Sequence, residues 1–153
     1  MIDDTCSVFV YGTLLFDEVT TRLRIYSRGE ADETEVRAAR SPAVLHGYER
    51  LTVWLRDHGN FPAIVPGPGR VDGHLLAKVT AASLARMDEF EGIADGYYSR
   101  DVVTVESQGR TLEAFAYVCG EPLRSFLDGP WDPDAFRGND LAWYVRNVVS
   151  QSD

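Results

Sequence analysis

The first third of the chain alternates between short apolar runs and polar connections. Residues Ser7 to Val10 are mostly β-branched or aromatic, which predicts a strand that ends just before the segment YGTLL. A helix is predicted from Phe16 to Ile25. The apolar/polar alternation within residues 43–55 predicts a second strand, broken near Gly47. The glycine of YGTLL raises a question, because a glycine at a strand end lets the backbone approach a neighbouring group closely.

The middle of the chain begins with a stretch rich in Gly and Pro. Residues 56–70 predict turns around a short apolar segment, Ala63 to Val65, and residues 71–79 predict another strand. Thr80 has the character of an N-cap for a helix from Ala81 to Glu91, and Gly92 is expected to end that helix.

The last third predicts two strands and a helix. Residues 97–107 and 111–120 form the strands, which are joined across Gln108-Gly109 in a hairpin turn. A final helix is predicted from Pro133 to Val149. Because strands and helices do not alternate regularly, a doubly wound fold is disfavoured. The order predicts an α+β fold with a mixed sheet curled into a small barrel and flanked by helices, in one domain over residues 1–153.

Composition narrows the classes of partner. The 153 residues carry a formal net charge of −9, which argues against binding to nucleic acid or to an anionic membrane. We expect no secretory signal and no membrane span, and therefore a cytoplasmic protein with both cysteines reduced. The three histidines are scattered, so no metal site is expected. The oligomeric state is left open.

An acidic residue on an apolar helix face is the strongest chemical signal. Taking Leu84 as the reference, Met87 falls about 60° and Glu91 about 20° away around the helix, with Asp88 near the same face. Burial, the helix C-terminus and Asp88 would each raise the pKa of Glu91, as suits a general base. Two other interpretations stay open here: an exposed residue in the capping turn, or an ion pair with Arg100.

Six segments occur in an order that resembles the γ-glutamylcyclotransferase-like family, in particular its AIG2-like group. They are YGTLL, FPAIVPG (61–67), VDGHLL (71–76), MDEFEGI (87–93), YYSR (97–100) and AFAYV (114–118). The resemblance covers residues 7 to about 120. It implies a barrel-like fold with a cavity, and an enzyme that converts a γ-glutamyl amine or peptide into 5-oxoproline and a free amine. It also implies that neither a cofactor nor a metal ion takes part.

The resemblance also implies roles for particular residues. Glu91 would be the catalytic general acid/base. The YGTL loop would bind the α-amino-acid end of the substrate with its backbone amides, and two aromatic positions would line the cavity. These substrate-binding residues are Tyr11, Gly12, Thr13, Leu14, Tyr98 and Tyr117.

Other functions remain compatible with the sequence. The YGTL glycine alone is equally compatible with a plain turn between strand and helix, with Tyr11 in the core. A non-catalytic protein that binds a small molecule on the same fold is the main alternative to an enzyme. An interaction protein that uses the charged stretch Ser27 to Ser41 is a third possibility. Fold resemblance by itself does not decide among them.

Overall fold

The computed structural model describes residues 5–23, 40–56 and 59–149. Six strands occur in them: β1 Cys6–Val10, β2 Arg40–Leu55, β3 Gly59–Val79, β4 Tyr98–Ser107, β5 Arg110–Cys119 and β6 Leu127–Pro130. The α-helices are α1 Asp17–Arg22, α2 Ala81–Phe90, α3 Pro133–Asn139 and α4 Leu141–Tyr144. A π-helical turn, Val145–Val149, follows α4. Three 3-10 helices span Thr13–Leu15, Ile93–Asp95 and Glu121–Phe126.

Five strands close into a barrel. β1 pairs with β3, β3 with β2, β2 with β4, β4 with β5, and β5 returns to β1 as a parallel neighbour. β6 adds to the outer side of β2. Parallel and antiparallel pairs therefore coexist, and the predicted α+β fold with a mixed, curled sheet is confirmed.

The barrel interior is filled with apolar side chains from all five strands and from the residue after β1. These are Phe9, Tyr11, Ala43, Leu45, Ile64, Val71, Leu75, Val103, Val105, Ala114, Ala116 and Val118. A second apolar cluster lies outside the barrel, where the helices cover it, and includes Val8, Met87, Tyr98, Tyr117 and Phe136. The β4–β5 register explains the division, because successive side chains point to opposite faces.

One predicted connection is wrong. The segment around Ala63 to Val65 does not form turns but belongs to β3, a strand of 21 residues that forms a long hairpin with β2. Prolines are tolerated in its first half because this half has a continuous partner on one side only, with a single pair, Ile64 to Val118, on the other. The break near Gly47 is a bulge, with φ of 83° at that glycine and a register shift between His46 and Tyr48.

The predicted last helix is also incomplete. Its span, Pro133 to Val149, is divided at Asp140 into α3, α4 and the π-helical turn. The sequence Gly138-Asn139-Asp140 explains the break, since all three residue types have low helix propensity. The helix predicted from Phe16 is observed as α1, while its predicted end at Ile25 lies outside the described residues.

The helix and the hairpin that position the site have the conformations predicted from the sequence. Thr80 caps α2, its side chain accepting a hydrogen bond from the Ser83 amide at 3.1 Å. Gly92 has φ of 69° and turns the chain after Glu91. The turn at Gln108-Gly109 has positive φ at both residues, as a tight hairpin requires.

Candidate active site

A cavity of about 380 Å³ lies between the barrel and the helices that cover it. Its wall is made by the loop after β1, the C-terminal end of α2, strands β3 to β5 and the C-terminal helical segment. All seven residues predicted for the site line this cavity: Tyr11, Gly12, Thr13, Leu14, Glu91, Tyr98 and Tyr117. The fold thus brings together residues that are up to 106 positions apart in the chain.

Glu91 follows the last residue of α2 and lies half-buried in the cavity wall. Its amide donates to the Met87 carbonyl at 2.9 Å, which fixes the backbone at the helix end. Among the described residues, no group donates a hydrogen bond to its carboxylate. Burial, and then the negative charge of Asp88, raise the pKa of Glu91 to about 8. The carboxyl group is thus poised to take up or release a proton near neutral pH.

Asp88 has the partners that Glu91 lacks. The Arg100 guanidinium forms an ion pair with its Oδ2, and the Tyr117 hydroxyl donates to its Oδ1 at 2.7 Å. The alternative ion pair between Arg100 and Glu91 is therefore wrong, and Arg100 binds the neighbouring acid instead. Arg100 also lies over the Phe115 ring, 4.7 Å from its centre.

Four tyrosines surround Glu91 closely enough for its charge to raise their pKa values. The four are Tyr11, Tyr98, Tyr117 and Tyr144. In each case burial is the largest cause of the raised pKa, so all four phenols stay protonated at neutral pH. Thr13 acts in the opposite direction and lowers the pKa of the Tyr144 phenol. The Tyr11 hydroxyl donates to the carbonyl of Tyr117, and the Tyr98 hydroxyl donates to the carbonyl of Pro62 at 2.7 Å. These bonds link the loop, β3 and β5 around the carboxylate.

The glycine of the YGTL loop is required by a contact within the protein. A Cβ atom on Gly12 would lie 2.3 Å from Cγ of Pro62, so no larger residue fits without movement. Arg50 supports the same loop, its Nη1 donating to the carbonyls of Tyr11 at 2.8 Å and Asp72 at 3.1 Å. The loop then enters the Thr13–Leu15 helix, whose first amides have no acceptor within the helix.

Comparisons with known proteins agree with this fold. The family described as γ-glutamyl cyclotransferase, AIG2-like, matches residues 8–133. The chain belongs to this family. The resemblance read from the ordered motifs is thereby confirmed.

A curated relative and two solved structures are similar to this AIG2-like chain over most of their length. AIG2-like protein D of Arabidopsis thaliana is 29% identical, with 92% of this chain and 84% of the relative covered. A solution structure of another Arabidopsis thaliana protein is 27% identical and has a TM-score of 0.62, with 96% and 81% covered. A structure named γ-glutamyl cyclotransferase is 20% identical and has a TM-score of 0.61, with 94% and 86% covered; at that identity it shows the fold alone.

The sequence does not show how three further residues act around this family cavity, although Pro62 is expected to stiffen its wall. Tyr144 is predicted only as an apolar contact of the last helix, yet it lines the cavity. Arg50 and Pro62 lie on β2 and β3 and support the YGTL loop by a hydrogen bond and by contact, respectively. No sequence pattern links Arg50 or Pro62 to the YGTL loop, because only the closed barrel brings them near it.

In the described ranges, no three His, Cys, Asp or Glu side chains are grouped so as to hold a metal ion. No helix of residues 5–23, 40–56 and 59–149 has the length and apolar character needed to span a membrane. The charged stretch from Ser27, considered above as an interaction segment, lies outside the described residues up to position 39.

Proposed function

We propose that the protein is a γ-glutamylcyclotransferase. Its substrate would be a γ-glutamyl amine or peptide, whose α-amine attacks its own γ-carbonyl to give 5-oxoproline and a free amine. The observation that carries this proposal is Glu91, a half-buried carboxyl with a pKa of about 8 in the wall of a 380 Å³ cavity. Family membership supports the reaction class.

Glu91 would move one proton in each direction. Its ionised form accepts a proton from the α-ammonium, which frees the lone pair that attacks the γ-carbonyl. As the tetrahedral intermediate collapses, the ring nitrogen passes its second excess proton on to the amine being released, which leaves as an ammonium ion. The protonated Glu91 gives the first proton to the same departing nitrogen. One carboxyl group with a pKa near neutrality suffices for both transfers. The net reaction consumes no proton and needs no covalent enzyme intermediate.

The substrate itself supplies the nucleophile. Its amine and carbonyl are tethered so that attack closes a five-membered ring, and the protein needs only to hold the chain in a bent conformation. A cavity walled by the Tyr11, Tyr98 and Tyr117 side chains suits this restriction. Tying each phenol to a neighbouring group keeps the wall rigid.

The YGTL loop would bind the anionic part of the substrate. We assign the amides of Gly12, Thr13 and Leu14 to the α-carboxylate or the developing oxyanion, as the resemblance implies. The contact of Gly12 with Pro62 and the hydrogen bond from Arg50 hold the loop in one conformation. We propose a small γ-glutamyl molecule as the ligand, and the cytoplasmic location remains a prediction from the sequence.

A substrate panel tests the proposal. The purified protein is incubated with γ-glutamyl amino acids, γ-glutamyl amines and glutathione, and 5-oxoproline is quantified. We expect release from at least one compound, and loss of that release in Glu91→Gln. Glu113→Gln is the matched control, because Glu113 is exposed on β5 away from the cavity. If wild type released no 5-oxoproline from any compound, a non-catalytic binding protein would be the better description.

A further inference from the structure

Two tyrosine hydroxyls in the cavity wall have their single protons committed to the protein. Tyr117 donates to Oδ1 of Asp88 and Tyr98 donates to the carbonyl of Pro62, both at 2.7 Å. A phenol carries one proton and two lone pairs, so each oxygen has only lone pairs left to offer. Towards a ligand, these two oxygens are therefore hydrogen-bond acceptors.

The direction of each bond is fixed by its acceptor. The carbonyl of Pro62 has no proton to give. The Asp88 carboxylate is held through its other oxygen by the ion pair with Arg100, and an ionised carboxylate only accepts. Neither phenol can therefore turn its proton towards a ligand without giving up its bond to the buried Pro62 carbonyl or to the half-buried Asp88 carboxylate.

The same wall carries negative charge. Glu91 lies near enough to both phenols for its charge to act on them, and no described group donates to its carboxylate. Two acceptor oxygens and a carboxylate fit a cation with several N–H donors, which describes an ammonium group. The Tyr98 and Tyr117 oxygens offer no proton to an anion or to a carbonyl oxygen.

We propose that Tyr98, Tyr117 and Glu91 form the binding site for the α-ammonium of the substrate. Asp88 is then a positioning residue, which acts by holding the proton of Tyr117 away from the ligand. The proposal rests on the proposed function and deepens it, because it places the nucleophilic nitrogen beside Glu91, the group that removes its proton. The carboxylate end of the substrate would then extend towards the YGTL loop.

A pair of probes isolates the ammonium group. L-Glutamate and glutarate differ only in the α-amino group, and neither carries a leaving amine. The dissociation constant of each is measured by calorimetry, and their ratio reports selectivity for the ammonium. We expect wild type to prefer L-glutamate by at least about tenfold, as a charged hydrogen-bonded group provides.

Variants of the wall then test the assignment. Tyr117→Phe and Tyr98→Phe each remove one acceptor and should each lower the L-glutamate preference several-fold. Asp88→Asn should lower it as well, because an amide nitrogen there can donate to Tyr117 and turn the phenol proton towards the ligand. Two controls outside the cavity, Tyr48→Phe and Asp101→Asn, should leave the ratio unchanged.

The outcomes separate this site from the proposed reaction. The site is refuted if wild type binds glutarate as well as L-glutamate or binds neither, or if both tyrosine variants keep the wild-type ratio. Tyr98→Phe tests the site even if Asp88→Asn does not fold, because it leaves Asp88 untouched. The substrate panel is run in parallel. No 5-oxoproline from wild type, with the selectivity pattern intact, would refute cyclotransfer and support the ammonium site.

Discussion

Replacing Glu91 by Gln gives the most direct test of the proposed chemistry. The amide keeps the size of the side chain but can neither accept nor release the proton that the reaction transfers. We expect kcat to fall by at least ~100-fold, the usual effect of losing a general acid/base. Substrate binding should persist through the YGTL loop. Turnover is followed by 5-oxoproline release, and binding by calorimetry with the best compound of the panel.

The same change should make the protein more stable. The pKa of Glu91 is raised from its ordinary value of 4.5 to about 8, so its ionised form is disfavoured in the folded state. A shift of this size corresponds to about 3 kcal/mol of lost stability at pH 7. Because the side chain is only half-buried, solvent screens part of this, and we expect Glu91→Gln to gain about 1–3 kcal/mol.

The gain in stability from Glu91→Gln should depend on pH in a definite direction. Below the ordinary value of 4.5 both states bind the proton and the penalty is absent. Between 4.5 and about 8 the unfolded state has released the proton while the folded state retains it, so wild-type stability falls as pH rises. The advantage of Glu91→Gln therefore grows across this window and is constant above it. Urea unfolding at three pH values measures the difference.

Two results would refute this reasoning. A variant that releases 5-oxoproline at the wild-type rate would mean that another group transfers the proton. Unfolding free energies of Glu91→Gln and wild type that change in parallel with pH would mean that the pKa of Glu91 is not raised. Retained activity with a pH-dependent gain in stability would show a buried acid without a catalytic role.

Three further changes probe the surroundings of the site. Asp88→Asn should lower activity less than Glu91→Gln. It should also move the rise of kcat/KM with pH to lower pH, because it removes a charge that raises the pKa of Glu91. An unchanged pH profile would contradict this coupling between the two acids. Gly12→Ala should destabilise the protein by about 1–3 kcal/mol through its contact with Pro62. Adding Pro62→Ala should recover most of that loss in thermal unfolding, and no recovery would mean that the strain lies elsewhere. Thr80→Ala should lower the free energy of unfolding by about 1 kcal/mol, while Thr80→Ser should preserve it; equal losses in both would argue against the cap.

The helix that carries Glu91 could be predicted because its signals are local. A Thr N-cap, a terminal glycine and an apolar stripe specify α2, and the stripe ends in the acid that the structure places in the cavity wall. The hairpin at Gln108-Gly109 is equally local. In each case the residues that determine the conformation lie within one or two turns of the chain.

The long β2–β3 hairpin could not be predicted in the same way. Its first half contains Pro62 and Pro66, and the local signal for turns is strong there. Pairing with β2 outweighs that signal, since the continuous register from Tyr48–Pro66 to Leu55–Gly59 satisfies the backbone of both strands. This pairing also places Pro62 against Gly12, which explains that glycine by a contact invisible in the sequence.

The different environments of the two acids on α2 follow from the register of β4 and β5. Asp88 and Glu91 are three residues apart and share one side of the helix, so the sequence predicts their proximity but not which one is free. Arg100 and Tyr117 are directly opposite each other across β4 and β5, and both point to the outer face under α2. Both bond to Asp88, one to each carboxylate oxygen. Asp88 is thereby satisfied, and Glu91 is left facing the cavity with a raised pKa and no donor among the described residues. A register shifted by one residue would leave one of these donors on the outer face and turn the other into the barrel, so Asp88 would lose one of its two partners.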